Sequence, residues 1–387
     1  MILSLEALQA KQGDSLILYY GQPDAPSVML IDGGPAGVYN ASLKPRLLQL
    51  KERLTGDEPL PVTLMMVSHA DDDHIHGILD LTNDLIAQGG TPQGPYLKID
   101  NFWFNSFDDI IGNKEVVAAA IEAPPLAADH HVEALIASTG QGRKIRSEAE
   151  QLGWSVNSPF TALPGSEAVL VRGDTNGSKI ELDELRLTVL HPGEERLGEL
   201  QKKWDEDLKK AKDAGDNSII VAAVNVGDDD SPFNLSSIVC LLELGGKRVL
   251  LTGDGRCDDI LAGLKRNGSL DANEKLHVDI LKMPHHGSFH NMNDIFLQKI
   301  TADHYVFSAD GKYSNPDQLT LDMVFNNVKN GTVHFTNYLD IPDAPGLKKK
   351  IDQFSKRLRD AGSAIKVKYR QADKRSFVID LLEPLTV

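Results

Sequence analysis

Three apolar runs in this chain, each patterned as a buried strand, end directly in side chains that ligate metals: "TLMMVSHADDDH" at 63–74, "VLLTGD" at 249–254 and "DILKMPHH" at 279–286. Loops at strand ends converge in layered α/β folds, so these residues can share one site although they lie far apart in sequence. Within the first run the spacing separates two directions. His69 and Asp71, two apart, can face one way in an extended turn, while Asp73 and His74 open a helix and face a second point. Asp254 has two oxygens and can bridge two cations, which in two-metal hydrolases sit about 3.5–4 Å apart. His285 or His286 would complete the second position. The competing reading is a polar turn in which Asp73 merely caps the helix carrying Ile75, but it leaves the two later strand ends unexplained.

Composition sets the frame for such a site. The 387 residues are 41% hydrophobic and 25% charged, an ordinary globular balance. No apolar run reaches the roughly 18 residues of a membrane span, and the opening "MILSLEALQAKQGDS" lacks the basic start and long apolar stretch of a signal peptide. A cytoplasmic protein without a membrane partner is expected. Cys240 and Cys257 lack metal-ligand or redox spacing and read as small buried hydrophobes. The net charge of −16 disfavours indiscriminate binding to a phosphate backbone. Yet residues 348–375 hold 11 Lys or Arg against three Asp, a local charge of +8. That segment is either a phosphate-facing patch or a solvated helix and hairpin.

Along the chain, "LSLEALQA", "SLILYY" and "SVMLIDGG" read as strands joined by tight turns such as "KQGD". A helix at 41–54 and the strand "TLMMV" precede the motif, and a second helix begins inside it. Residues 100–215 read as an inserted elaboration, with a strand at "IDNFWFNSF" and separate helices at 114–123, 129–138 and 144–153. An amphipathic helix is expected at 194–214, placed as a lid, and the acidic loop 227–232 as a mobile segment. Strands return at "LRLTVLHP", "SIIVAAVNV", "NLSSIVCLLEL", "KRVLLTGD" and "VDILKMPHHG", then at "ADHYVFSADG" and "TVHFTN". A basic helix and a closing hairpin, "AIKVKYR" to "SFVIDLL", occupy about 346–387. No repeat divides the chain, which is expected to form one domain.

The H-x-D-x-D-H pattern after an apolar strand, a later "TGD" and a later "HHGS" resemble the metallo-β-lactamase superfamily. The branch resembled most is the hydrolase domain of ComEC, the competence DNA-uptake protein, with its stand-alone bacterial relatives. "KQGDS", "LIDGG", "TVLHP", "NLSSIV" and "FSADGKYSNP" resemble further segments of that branch in the same order. The resemblance implies an α/β fold, a four-layer αββα sandwich with two metals at one edge of its sheets. It implies that His69 and Asp71 hold the first metal, that Asp73 and His74 hold the second, and that Asp254 bridges. His286 would finish the second site, His285 would contact phosphate, and Asp32 would orient a ligand from behind.

The departures from the branch also carry expectations. These 387 residues hold no counterpart of the channel that accompanies the competence protein, so DNA transport is not expected to carry over. Asn234 falls where many members place a third-region histidine, and Asp71 replaces the commoner histidine, which makes the first site oxygen-rich. Zn²⁺ is the expected metal and Mn²⁺ the alternative. His76 stands where the branch has glycine and reads as an exposed helix residue or an added proton-transfer group. Ser288 could offer a hydroxyl to a phosphate. The function implied is a phosphodiesterase or nuclease using a metal-bound hydroxide, with single-stranded nucleic acid or a small phosphodiester as substrate. Hydrolysis of a lactone, thioester or amide, or a metal-containing regulatory component with a protein partner, are the alternatives.

Overall fold

Residues 2–31 alternate between two apolar faces, and they form three antiparallel strands buried on both sides: β1 (Ile2–Leu8), β2 (Leu16–Gln22) and β3 (Ala25–Ile31). Leu3, Leu5, Leu18 and Tyr20 face one apolar cluster, whereas Ile2, Ile17, Tyr19 and Leu30 face another. A period of two with both phases apolar is what a sheet covered on both faces requires. The computed structural model describes residues 1–110, 130–162, 169–175, 178–199, 201–202 and 236–386. The sequence readings at 114–123, 203–214, 218–226 and 227–232, and Asn234, lie outside the described residues.

The first sheet continues through β5 (Leu64–Met66) and β7 (Phe102–Trp103), both parallel to β3, and gains β16 (Ser376–Asp380), antiparallel to β1. Its order is β16-β1-β2-β3-β5-β7, and β4 (Leu60–Val62) pairs separately with β6 (Leu97–Ile99). The second sheet comprises β8 (Lys179–Leu182), β9 (Leu185–His191), β10 (Val239–Leu244), β11 (Lys247–Leu251), β12 (Leu276–Lys282), β13 (Ile300–Phe307), β14 (Asn330–Phe335) and β15 (Ala364–Tyr369). They lie in the order β15 to β8, and β11 through β15 are mutually parallel.

Three apolar clusters make four layers. The middle one joins the sheets through residues such as Leu5, Met29, Leu187, Cys240 and Ile280. One outer cluster seats the helices Lys44–Leu54 and Asp72–Gly89 on the first sheet through Leu47, Leu50, Ile75 and Ile78. The other seats Cys257–Arg266, Gln318–Asn327 and Leu347–Asp360 on the second sheet through Ile260, Leu321, Ile351 and Phe354. This is the αββα sandwich expected. Cys240 and Cys257 are buried and free, as their spacing suggests.

Two sequence readings are corrected. The helices expected at 129–138 and 144–153 are one continuous helix, His130–Gln151. Gly140 and Gly142 lower local helix propensity, but the helix runs through both. The closing hairpin does not form either: β15 is parallel to β14 in the second sheet, whereas β16 crosses to pair with β1 in the first. A strand's alternation reports which face is buried and says nothing of which sheet it joins.

The same sheet edge collects the C-terminal ends of β3, β5, β11, β12 and β13. Gly33 and Gly77 hold it closed on one side. A Cβ on Gly77 would lie 2.0 Å from the Gly33 carbonyl oxygen, so the turn after β3 and the Asp72–Gly89 helix meet backbone to backbone. Two hydrogen bonds, Gly33 N to His74 O at 2.8 Å and Gly77 N to Gly34 O at 2.9 Å, fix that contact.

Candidate metal centre

The chain leaves β5 at Met66, and after Ser68 the first turn of the Asp72–Gly89 helix opens with Asp71 as its N-cap. This geometry buries His69 and His74 completely and leaves Asp71 and Asp73 part-exposed. From the second sheet, Asp254 follows β11 through the left-handed Gly253, and His285 and His286 follow β12. Both histidines adopt positive φ, 45° and 56°. That backbone, strained for residues with a side chain, splays the two rings onto different sides of Asp254.

Asp254 organises the cluster. Its Oδ1 lies 3.3 Å from His74 Nε2 and 3.5 Å from His286 Nε2, while its Oδ2 lies 3.6 Å from His69 Nε2 and 3.4 Å from His285 Nε2. Asp73 joins the first pair, with Oδ2 3.5 Å from His286 Nε2, and Asp71 joins the second, with Oδ2 3.7 Å from His69 Nε2. The sequence-derived residues His69, Asp71, Asp73, His74, Asp254 and His286 therefore meet, divided into two groups. His285 belongs with the Asp71 group, a placement that its spacing did not indicate.

Each imidazole has its Nδ1 engaged from behind. His74 Nδ1 is 2.8 Å from Asp32 Oδ2, His286 Nδ1 is 2.9 Å from the Ser308 carbonyl, His285 Nδ1 is 2.7 Å from Asn291 Oδ1, and His69 Nδ1 is 3.1 Å from Ser68 Oγ. Donating Nδ1–H backwards leaves Nε2 with its lone pair directed at the centre, which is how metal-ligating histidines are oriented. Asp32 is itself fixed by Ser68, whose N–H and hydroxyl donate to its two oxygens at 2.7 Å each. Asp32 thus stands behind a candidate ligand, at a positive φ of 58°. Asn291 ties two strand ends together by donating to the Asp254 carbonyl at 2.8 Å.

Whether these residues fit a cation is answered by what they leave unpaired. His69 Nε2 and Asp254 Oδ1 are buried and have no hydrogen-bond partner among the described residues. Leaving such atoms bare costs about 1–3 kcal/mol each, and a cation between them removes that cost. The electrostatics agree. Burial opposes ionisation of Asp254, but the imidazoles of His286, His285, His74 and His69 hold its carboxyl well below the usual range. Against the same desolvation, Asp254 and Asp14 push His286 up to about 10. Burial and the neighbouring His74 push His69 down to about 3. Asp254 and His286 thus favour positive charge at the centre, whereas His69 is held neutral with its lone pair available, and the donor set suits a divalent cation.

Asp14 is the residue that sequence reasoning missed. It lies within reach of His74, Asp254 and His286, yet it sits behind the His286 ring: its Oδ1 is 3.4 Å from His286 Nδ1 and its Oδ2 is 2.5 Å from Lys282 Nζ. Both partners of that ion pair are buried. The "KQGD" turn was the available signal, read as a turn and as a segment resembling the branch, with no role given to its aspartate. His76 points away and pairs with Asp72 at 2.8 Å on the outer helix face. Ser288 is buried, and its hydroxyl accepts from His290 N at 3.4 Å, so it serves its own turn.

Residues 24–221 match the family model for the metallo-beta-lactamase superfamily. ComE operon protein 3 of Bacillus subtilis (strain 168) is 24% identical over 217 residues, a stretch that spans 48% of this chain and 26% of that protein. The chain therefore matches about a quarter of the length of this curated relative. Among solved structures, the diiron β-hydroxylase CmlA from Streptomyces venezuelae aligns with a TM-score of 0.38 at 9% identity, covering 98% of this chain and 54% of that one. A putative metal-dependent hydrolase from Parabacteroides distasonis ATCC 8503 aligns with a TM-score of 0.33 at 12% identity, covering 95% and 93%. Among the described residues, no helix is long and apolar enough to cross a membrane.

Proposed function

The chain belongs to the metallo-beta-lactamase superfamily, and on that premise we propose that it hydrolyses phosphodiesters with two divalent cations. The observation that carries this reading is the divided carboxylate of Asp254, one oxygen toward His74 and His286 and the other toward His69 and His285. His69, Asp71 and Asp254 Oδ2 would hold one cation, and Asp73, His74, His286 and Asp254 Oδ1 the other. A cation pair of this kind polarises the attacking water and the leaving oxygen of an in-line displacement.

The chain's own part is positioning and charge. Asp32 and the Ser308 carbonyl keep the His74 and His286 rings turned inward, and the Asp14–Lys282 pair backs His286 from inside the sheet. His285, part-exposed on the Asp71 side, is the ring that a substrate phosphate would meet. Its Nδ1 is already spent on Asn291, so only Nε2 faces the substrate. Asp71 adds a hard oxygen donor, which raises the standing of Mn²⁺ beside Zn²⁺. The substrate classes are single-stranded nucleic acid and small phosphodiesters, met in the cytoplasm.

The test is direct. Purified protein supplied with Mn²⁺ or Zn²⁺ is expected to hydrolyse bis(p-nitrophenyl) phosphate, and the double variant His69→Ala, Asp73→Ala is expected to be inactive. Equal turnover by that variant ends the proposal. A panel of lactone, thioester and amide substrates turned over faster than phosphodiesters would reassign the same centre to carboxyl chemistry.

A further inference from the structure

Because β12 to β15 run parallel, their C-terminal ends share the edge that holds the candidate metal centre. Past the His285–His286 turn, that edge carries aromatic rings, half-buried at Tyr338 and exposed at Tyr313 and Tyr369. Tyr338, just after β14, and Tyr369, the last residue of β15, stack face to face with centroids 4.1 Å apart and planes 7° apart. Tyr369 is 49% exposed. The stack is preorganised: Tyr338 donates its hydroxyl to Asp352 at 2.7 Å, and Lys348 Nζ lies 5.1 Å from the Tyr338 ring. Nearer the centre, the loop after β13 presents Tyr313, 72% exposed, and Lys350 pins that loop by donating to the Ser314 and Pro316 carbonyls at 2.6 and 2.8 Å.

Lysines flank two of these rings, Lys348 at Tyr338 and Lys312 at Tyr313. A groove of about 370 Å³ along the Leu347–Asp360 helix is lined by Lys348, Lys349 and Lys356 with Asp340, Asp352 and Gln353. Lys348 and Lys356 are paired with Asp352 and Asp360, but Lys349 and Lys366 make no ion pair among the described residues. In a chain of net charge −16, this +8 segment is the local exception.

We infer that the edge formed by Tyr313, Tyr338 and Tyr369 with Lys349 is a binding track for single-stranded nucleic acid, leading to the metal centre. The inference rests on the phosphodiesterase reading for what happens at the end of the track. Unpaired bases stack on exposed aromatic rings regardless of sequence, while lysines follow the phosphates. In a duplex the bases are already stacked on each other. A small phosphodiester is too short, since β12 and β15 are three strand spacings apart, about 14 Å. An acidic peptide would use the lysines and leave the stacked tyrosines without a purpose.

The experiment measures binding of a fluorescein-labelled oligothymidylate to the metal-loaded full chain, read from the initial anisotropy before turnover. Tyr369→Ala is expected to weaken binding about 10-fold, while Tyr369→Phe, which keeps the ring, retains wild-type affinity. Lys349→Ala is expected to reduce the slope of log affinity against log salt by about 1. Thermal unfolding of each variant separates lost contact from lost fold. The inference is overturned if the wild type does not bind, if Tyr369→Ala binds equally well, or if Tyr369→Phe loses as much as Tyr369→Ala. Wild-type turnover of bis(p-nitrophenyl) phosphate without oligonucleotide binding sinks the track alone. Ring-dependent binding without phosphodiester turnover sinks the phosphodiesterase reading and keeps the track.

Discussion

Gly13 rests on Asp73. A Cβ built on Gly13 would fall 1.8 Å from the Asp73 carbonyl oxygen and 2.9 Å from Pro35 Cδ. The turn of the first hairpin is therefore seated on the first turn of the helix that begins the metal motif. Asp14 N adds a hydrogen bond to the same carbonyl at 3.3 Å. Since the contact is with backbone, a methyl group cannot be accommodated by rotating a side chain. Gly13→Ala is expected to displace Asp73 and His74 together, costing about 1–3 kcal/mol of stability and lowering bound metal per chain. Metal analysis after dialysis, alongside a urea melt, checks this, and full metal content at wild-type stability would refute it.

Asp32 sets the direction of His74. Asp32→Asn keeps an acceptor for Ser68 N–H but loses the charge that faces His74 Nδ1. Loss of such a partner typically costs 10- to 100-fold in metal affinity or activity. Competition with a chromophoric chelator measures the affinity, and a change under twofold would assign Asp32 a purely structural role.

Lys282 is 1% exposed and meets Asp14 at 2.5 Å. Removing one partner of a buried pair strands the other charge, at a cost of about 3–5 kcal/mol, whereas replacing both with neutral groups is often nearly neutral. Asp14→Asn alone should lower the urea midpoint sharply, and Asp14→Asn with Lys282→Met should recover most of it. If the double variant is no more stable than the single one, the ion pair is not the source of the loss.

Acid should loosen the contact between the two sheets. His334 on β14 stacks on Phe377 of β16, with ring centroids 5.4 Å apart, and its Nε2 meets His304 Nδ1 at 3.0 Å. Burial, then the neighbouring His304, pushes His334 down to about 3. Between that value and the unfolded-state value near 6.5, the unfolded chain binds the extra proton, so stability falls as the pH drops through this window. His334→Phe keeps the stack and cannot titrate. From pH 7 to 5 the wild type is expected to lose roughly 2 kcal/mol more than the variant, and parallel pH profiles would reject the assignment.

The strand-end ligand types were legible because each follows an apolar run without a spacer, and parallel strands deliver their C-terminal ends to one edge. The division of the cluster was legible only in its first half. His69 and Asp71 separate from Asp73 and His74 by local spacing, but the opposite placement of His285 and His286 depends on two consecutive residues at positive φ, which sequence does not announce. Asp14 escaped notice because a charged residue in a polar turn gives no sign of being buried. The supposed final hairpin failed for a different reason. Two alternating strands joined by the short stretch 370–375 fit a hairpin locally, and their assignment to different sheets depends on β1 and β14, hundreds and tens of residues away.

The pairing of β1 with β16 joins Ser4 to Asp380 and Leu8 to Ser376. In time rather than space, this pairs a strand made before the second sheet with one made after it. While the ribosome is still adding the second sheet, the outer edge of β1 stays unpaired and open to other chains. The nascent protein is exposed along that edge until Ser376–Asp380 emerges, so a stall or cleavage after residue 286 but before residue 376 leaves a fragment with every candidate ligand present and an uncapped sheet.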